Sequence, residues 1–152
     1  MNLDTLHANL INLDPWDVLV RIIDKNLDHI ERLNKEQLQR GDSAISGVST
    51  GSHTGSEQSN LYVDDKIERG VYDESIYPSV NLYSHGSFYR GITAKIDIMS
   101  GVYIQSTDNK ADMLEERYGE HLLGLNTESL SQFIDIIIDE FRQNILNEIQ
   151  KG

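Results

Sequence analysis

The sequence has no cysteine, only two prolines and a single tryptophan, and no apolar run near the length of a membrane span. Without thiols there can be no disulfide, no thiolate nucleophile and no cysteine-ligated metal site. A helix crosses a bilayer with about 20 consecutive apolar residues, so no membrane role is expected. Basic residues are scarce as well: 13 Lys and Arg are scattered against 25 Asp and Glu, a formal net charge of −12. Nucleic acid is gripped at its phosphates by clustered cations, so this balance argues against tight DNA or RNA binding. An acidic surface can still surround DNA without holding it, because it repels phosphates. Met1-Asn2-Leu3-Asp4 lacks the basic and apolar regions of a secretory leader, and no Asn-x-Ser/Thr sequon occurs. Cytoplasmic synthesis is the expectation.

What is present fits one domain over 1–152, since 152 residues can bury a core without staples. Apolar residues make up 38% before the 11 glycines are added, so the core should be modest. Asp14-Pro15-Trp16-Asp17 starts a helix, with Asp14 as N-cap, Pro15 at the first helical position and Asp17 in the first turn. Trp16, Leu19, Ile23, Leu27, Ile30 and Leu33 recur at helical spacing, widened by Val20 and Ile22. The spacing predicts one amphipathic helix of about five turns, fading between Leu33 and Gly41. Residues 1–13 form an apolar lead-in, a brief helix or an arm. Trp16 reads as a core or interface anchor rather than a ligand platform.

The stretch 41–60, GDSAISGVSTGSHTGSEQSN, is dominated by Gly, Ser and Thr. Such composition cannot offset its ordering entropy by burial, and it predicts a flexible polar insert that orders against a partner. Gly47-Val48-Ser49-Thr50-Gly51 matches the Gly-x-Ser-x-Gly nucleophile elbow, with His53 nearby. That elbow needs a buried strand before it and a helix after it, and neither flank supplies them. Six of the seven tyrosines lie between Tyr62 and Tyr103. Tyrosine joins a large apolar body to a hydrogen-bonding tip, which suits protein interfaces, although scattered structural tyrosines account for the pattern equally well. Leu61-Tyr62-Val63 reads as a short strand and Tyr77-Pro78 as a rigid turn, while the secondary structure of 64–79 stays open.

Ile92, Ala94, Ile96 and Ile98 alternate with polar neighbours, and a second alternating run follows Ser100-Gly101. This predicts an antiparallel hairpin over about 92–106. Before it, Gly86 and Gly91 suggest positive φ or close backbone approach, and Phe88 and Tyr89 would point to opposite sides of an extended segment. After it, Asp108 or Asn109 caps a helix over about 110–118, stopped by Gly119. Leu122-Leu123-Gly124-Leu125 reads as a buried turn, with Thr127 as N-cap of a helix of roughly 22 residues. Its apolar side is Leu130, Phe133, Ile134, Ile137, Ile138, Phe141, Ile145 and Ile149, with Ile136 and Leu146 off that stripe. One small sheet cannot cover so broad a helix, so part of it should meet another subunit.

The expected fold is therefore α+β: a small antiparallel sheet packed against a long N-terminal and a long C-terminal helix, with the polar insert between. The candidate interface is Trp16, Tyr62, Tyr72, Tyr77, Phe88, Tyr89, Ile138, Phe141 and Ile145. Asp112, Glu115 and Glu116 share a helix side without a calcium-loop pattern, and Asp135, Asp139 and Glu140 form a second acidic flank. Both read as solvated faces. The five histidines, His7, His29, His53, His85 and His121, show no metal-ligand spacing. No catalytic, cofactor-binding or metal-binding residue is assigned, and the chain does not read as an enzyme.

The order of parts is similar to that of the head–tail joining, or tail-completion, proteins of tailed bacteriophages. The family's Thr-Gly-x-Leu/Phe-x-x-Ser-Ile string has its counterpart in His85-Gly86-Ser87-Phe88-Tyr89-Arg90-Gly91-Ile92, entering the strand pair. His85 stands in place of the usual threonine and Gly91 in place of the serine. Tyr118-Gly119 resembles the aromatic-small pair before the family's glycine-containing turn. These matches cover about a third of the chain. The resemblance implies a structural virion subunit, one of six or twelve copies in a ring in the neck between portal and tail. It would contact portal, connector and tail proteins and pass DNA without binding it specifically, after assembly in the host cytoplasm. The rival expectation is a soluble bacterial adaptor or inhibitor that binds a protein through the tyrosine-rich middle.

Overall fold

The computed structural model describes residues 3–45, 64–76, 81–97, 99 and 101–151. Three helices open the chain: α1 (Leu3–Asn12), α2 (Pro15–Lys25) and α3 (Leu27–Gln39). A helical stretch α4 covers 64–68, and a 3-10 turn spans Glu74–Ile76. Then come α5 (Ser87–Gly91), β1 (Ile92–Asp97), β2 (Gly101–Ser106), α6 (Ala111–Tyr118) and α7 (Thr127–Gln150). The fold is α+β, as the periodicities predict.

Asp14 caps α2 as expected, its carboxylate accepting from the backbone N–H groups of Trp16 and Asp17 at 3.0 and 3.3 Å. The single long N-terminal helix is corrected to two. At Asn26 the backbone leaves the helical region (φ −117°, ψ 20°), and its side-chain amide donates to Ile22 O at 2.8 Å. An asparagine satisfying a nearby carbonyl competes with helix continuation. The bend lets α2 follow α7 while α3 turns to run along β1. The buried stripe is corrected too: Val18 and Ile22 form the inner face of α2, while Trp16 faces solvent and Leu19 and Ile23 sit at the margin. The start of the polar insert is held in place. Asp42 donates its N–H to Gln37 O, Ala44 donates to His121 O, and Ser43 is buried. Residues 46–60, including the elbow-like string and His53, lie outside the described residues.

β1 and β2 pair antiparallel from Ile92↔Ser106 to Asp97↔Gly101, which places the connection at 98–100. Ile92 and Ala94 are buried and Lys95 and Asp97 exposed, the alternation expected of a strand with one covered face. The segment before β1 is not extended, however. Gly86, at φ 76°, starts α5, and this turn of helix buries both Phe88 and Tyr89, ring centroids 6.3 Å apart, instead of splaying them. Gly91 serves close approach. A Cβ there would lie 2.8 Å from Ser106 Oγ and 2.9 Å from Asp108 N, where the chain leaving β2 crosses the end of α5.

The core has two lobes. Leu38, Leu82, Phe88, Tyr89, Ile92, Ala111 and Leu122 fill one, and Val18, Ile22, Ile30, Leu33, Ala94, Phe133 and Ile137 fill the other. Ile104 packs against both, so the ribbon is the seam between them. Each buried Ile, Leu or Phe contributes roughly 1.5–3 kcal/mol of transfer free energy. The turn before α7 is held by buried amides. Asn34 and Gln37 both donate to Gly124 O, at 2.7 and 2.9 Å, and Gln37 Oε1 accepts from Asn126 N at 2.9 Å. Asn126, not Thr127, is the N-cap of α7, accepting from Ser129 N at 3.0 Å. The helix then runs 24 residues, about 36 Å.

Gly91→Ala should lower unfolding stability by about 1–3 kcal/mol, because the methyl meets backbone that cannot swing away. Urea titration followed by circular dichroism reads this as a lower midpoint; an unchanged midpoint would refute the crowding.

Candidate functional site

The nine expected interface residues separate into groups. Phe88 and Tyr89 are interior, Tyr89 donating its hydroxyl to Asn81 O, and so are not available as surface. Phe141 and Ile145 are half-buried against the second lobe, Ile138 and Tyr72 are half-buried, and Tyr62 and Tyr77 lie outside the described residues. Of the seven described, Trp16 alone is fully at the surface, 60% exposed. Among the described tyrosines of the middle, Tyr89 is buried and Tyr72 and Tyr83 are half-buried. Tyr83 packs edge-on against Tyr89 at 5.6 Å, and of the described tyrosines between 62 and 103 only Tyr103 is classed as exposed.

Uncovered apolar side chains gather on other elements. α1 buries no residue, and Leu3, Leu10 and Ile11 face solvent. This helix lies at the C-terminal end of α7, where Asn9 donates to Ile149 O at 2.8 Å. Trp16 belongs to the same end, because α2 runs antiparallel to α7: Arg21 reaches Glu148 at 3.9 Å and Lys25 reaches Glu140 at 3.4 Å. Toward the other end of α7, Leu130 and Ile134 are 46% and 47% exposed, one helical turn apart on a single stripe. α7 thus carries uncovered apolar side chains, Leu130, Ile134 and Ile136 in its N-terminal half and Leu146 in its C-terminal half.

A polar centre that the sequence did not announce lies beneath α4. Lys66 is 1% exposed, and its ammonium donates to Asn81 Oδ1 at 2.6 Å. The same oxygen accepts from Tyr83 N at 3.1 Å across Leu82, which is held at φ 56° although it has a side chain. Arg69 secures the neighbourhood by donating to Ser84 O at 2.8 Å and to the Asp65 carboxylate. Loss of hydration, with the Arg69 charge adding to it, pushes the Lys66 ammonium down to about 8. A group so enclosed is out of reach of a dissolved substrate, so its role is to order the strand-free segment before α5.

One polar cleft of about 220 Å³ opens between the α1–α2 junction and the end of α7. Its charged groups are engaged with one another: Arg21 with Asp17 at 3.1 Å, and Lys151 with Glu148 at 2.6 Å, which holds the Glu148 carboxyl below its usual range. Among the described residues no group of three or more His, Asp or Glu stands where it could hold a metal ion, and no helix is long and apolar enough to cross a membrane.

The Lys66 environment sets a pH dependence. Its folded pKa lies below the unfolded value, so the cost of burying the ammonium is fully present below about pH 8 and disappears as pH rises toward the unfolded value. Lys66→Met removes that cost and leaves Asn81 Oδ1 bonded to Tyr83 N. The stability of Lys66→Met relative to the native chain should therefore fall between about pH 8 and about pH 10, by up to roughly 3 kcal/mol. Parallel urea titrations at the two pH values measure it, and a pH-independent difference would show that the ammonium is not desolvated. Compared with known proteins, the chain matches no family model, no curated protein and no solved structure.

Proposed function

We propose that this chain is a structural assembly subunit of the head–tail joining, or tail-completion, type, one of six or twelve copies in a ring in the neck of a tailed bacteriophage. The observation that carries the reading is the placement of uncovered apolar side chains. Leu3, Leu10, Ile11 and Trp16 lie at one end of the 24-residue α7, and Leu130 and Ile134 lie toward the other. A ring is built from two different surfaces per copy, so that each subunit presents one to the neighbour ahead and the other to the neighbour behind. A protomer with separate apolar patches at opposite ends of a rod suits that arrangement. The resemblance of 85–92 adds support, since Gly86 and Gly91 both do backbone work there that a larger residue would disturb.

The charge of −12 has a use in this reading. DNA passing through a ring meets a negative wall and does not stick. The portal, connector and tail proteins are the partners, the virion neck is the site of action, and assembly takes place in the host cytoplasm. The adaptor alternative has less support, because two of its tyrosines, Tyr83 and Tyr89, belong to the core.

Trp16 is the only tryptophan, so its emission reports on this surface directly. Mixing the subunit with portal or tail partners should shift the emission to the blue and give ring-shaped particles by electron microscopy. Leu130→Asp with Ile134→Asp should abolish the rings while leaving the circular dichroism of the free subunit intact. Rings that persist in that variant would rule out the patch, and a subunit that remains single with every neck partner would rule out the function. The assembled ring should bind duplex DNA weakly even at low salt, and tight binding would end the slippery-lumen reading.

A further inference from the structure

The two edges of the β-ribbon are not equivalent. Thr107 donates its N–H to Gly91 O at 2.9 Å, which fixes the phase of the ladder. In an antiparallel pair the opposed residues alternate between bonded and unbonded. Thr93/Gln105, Lys95/Tyr103 and Asp97/Gly101 are then the bonded pairs, and Ile92, Ala94, Val102 and Ile104 turn their N–H and C=O groups away from the partner strand. On the β1 side that edge is blocked by the chain itself: Ala94 donates its N–H to Glu31 Oε1 at 3.0 Å, and α3 lies alongside. Among the described residues no strand pairs with the outer edge of β2, where the sheet ends.

Open edges are ordinarily protected by charge, proline or a bulge. β2 reads Gly101-Val102-Tyr103-Ile104-Gln105-Ser106 and has neither charge nor proline. It is an uncharged strand in a chain of net charge −12, with Val102 39% and Tyr103 44% exposed. The open run is short, because Asp108 N bonds to Ser106 Oγ and starts the turn into α6.

We propose that a second copy of this chain pairs antiparallel with the outer edge of β2, about a two-fold axis through Tyr103, to give a four-stranded sheet. In this register Val102 and Ile104′ exchange both backbone bonds, as do Ile104 and Val102′, and Tyr103 faces Tyr103′. The three central pairs are apolar or aromatic, the combinations that stabilise sheets, and they are flanked by the uncharged Gly101/Gln105′ pairs. No charged side chain meets another on the paired strands, so two acidic copies approach where neither carries charge. Two-stranded ribbons are marginal by themselves, and the pairing doubles this one. The pair of short strands covers less than a permanent dimer requires, so the contact is a weak one between free subunits. It does not rest on the head–tail reading, since a two-fold contact closes on itself whereas a ring uses two different surfaces.

The chain has no cysteine, which makes the register directly testable. In the proposed pairing the Cα atoms of Tyr103 and Tyr103′ are about 4.5 Å apart, within disulfide reach. Those of Gln105 and Gln105′ are about 13 Å apart, beyond it. Tyr103→Cys should therefore oxidise to a covalent dimer at least tenfold faster than Gln105→Cys. Sedimentation of the native chain should show a concentration-dependent dimer that Val102→Pro removes. That proline deletes an outward N–H which the β1–β2 ladder does not use, so the melting curve checks that the variant still folds. Equal oxidation of the two cysteine variants, or a native chain that stays monomeric at the highest attainable concentration, would overturn the proposal. The monomeric outcome would assign the edge to a strand from another protein. Ring formation with neck partners is a separate readout, and neither result fixes the other.

Discussion

The carbonyl of Gly124 is the point on which the arrangement of the long helices depends. Two side-chain amides from α3, those of Asn34 and Gln37, converge on it, and Gln37 also accepts from Asn126, whose own carboxamide oxygen caps α7. Asn34, Gln37 and Asn126 are buried, so each broken bond would leave a desolvated polar group at a cost of about 1–3 kcal/mol. Apolar contacts tolerate a slide of one helix along another, whereas this set does not. With the start of α7 fixed, Phe133 and Ile137 fall opposite Val18, Ile22 and Ala94. α3, which carries two of these amides, is also the helix along which β1 lies.

Periodicity made much of this legible. Alternation from Ile92 onward requires a strand with one covered face, and the helical stripe beyond residue 127 requires a long amphipathic helix. Asp14-Pro15 marked the start of α2 because capping is local chemistry between a side chain and the next few N–H groups. Gly86 and Gly91 were legible as a pair but not as individuals. One serves positive φ and the other the crossing of α5 by the chain after β2, and only the fold distinguishes them.

The features that escaped are those where tertiary packing overrides a local pattern. The helix break at Asn26 falls inside an unbroken apolar stripe, and its cause, the demand that α2 and α3 follow different partners, is not a property of the segment. Phe88 and Tyr89 look like a strand pair until a single helical turn places both on the core. Lys66 follows Asp64 and Asp65, a run that reads as solvated charge, and only the position of Asn81 turns it inward. The polar clamp is hidden for the same reason, since Asn34 and Gln37 sit in a charged stretch of α3 and look like surface residues.

The exposed surface shows a division between short-range and long-range forces. Apolar side chains at the two ends of α7 and along β2 attract only on contact, while a charge of −12 repels at longer range. At physiological ionic strength that repulsion is screened over about 8 Å, so it opposes the approach of copies more than it weakens a formed contact. Under the assembly proposal, copies of the subunit then gather slowly by themselves, and a partner with a basic surface relieves the repulsion and lets the apolar patches meet. The uncharged β2 edge is the place where this barrier is lowest. On that proposal the subunit stays dispersed until its partners arrive and commits to a larger structure on them, the behaviour that joining two separately built assemblies would require.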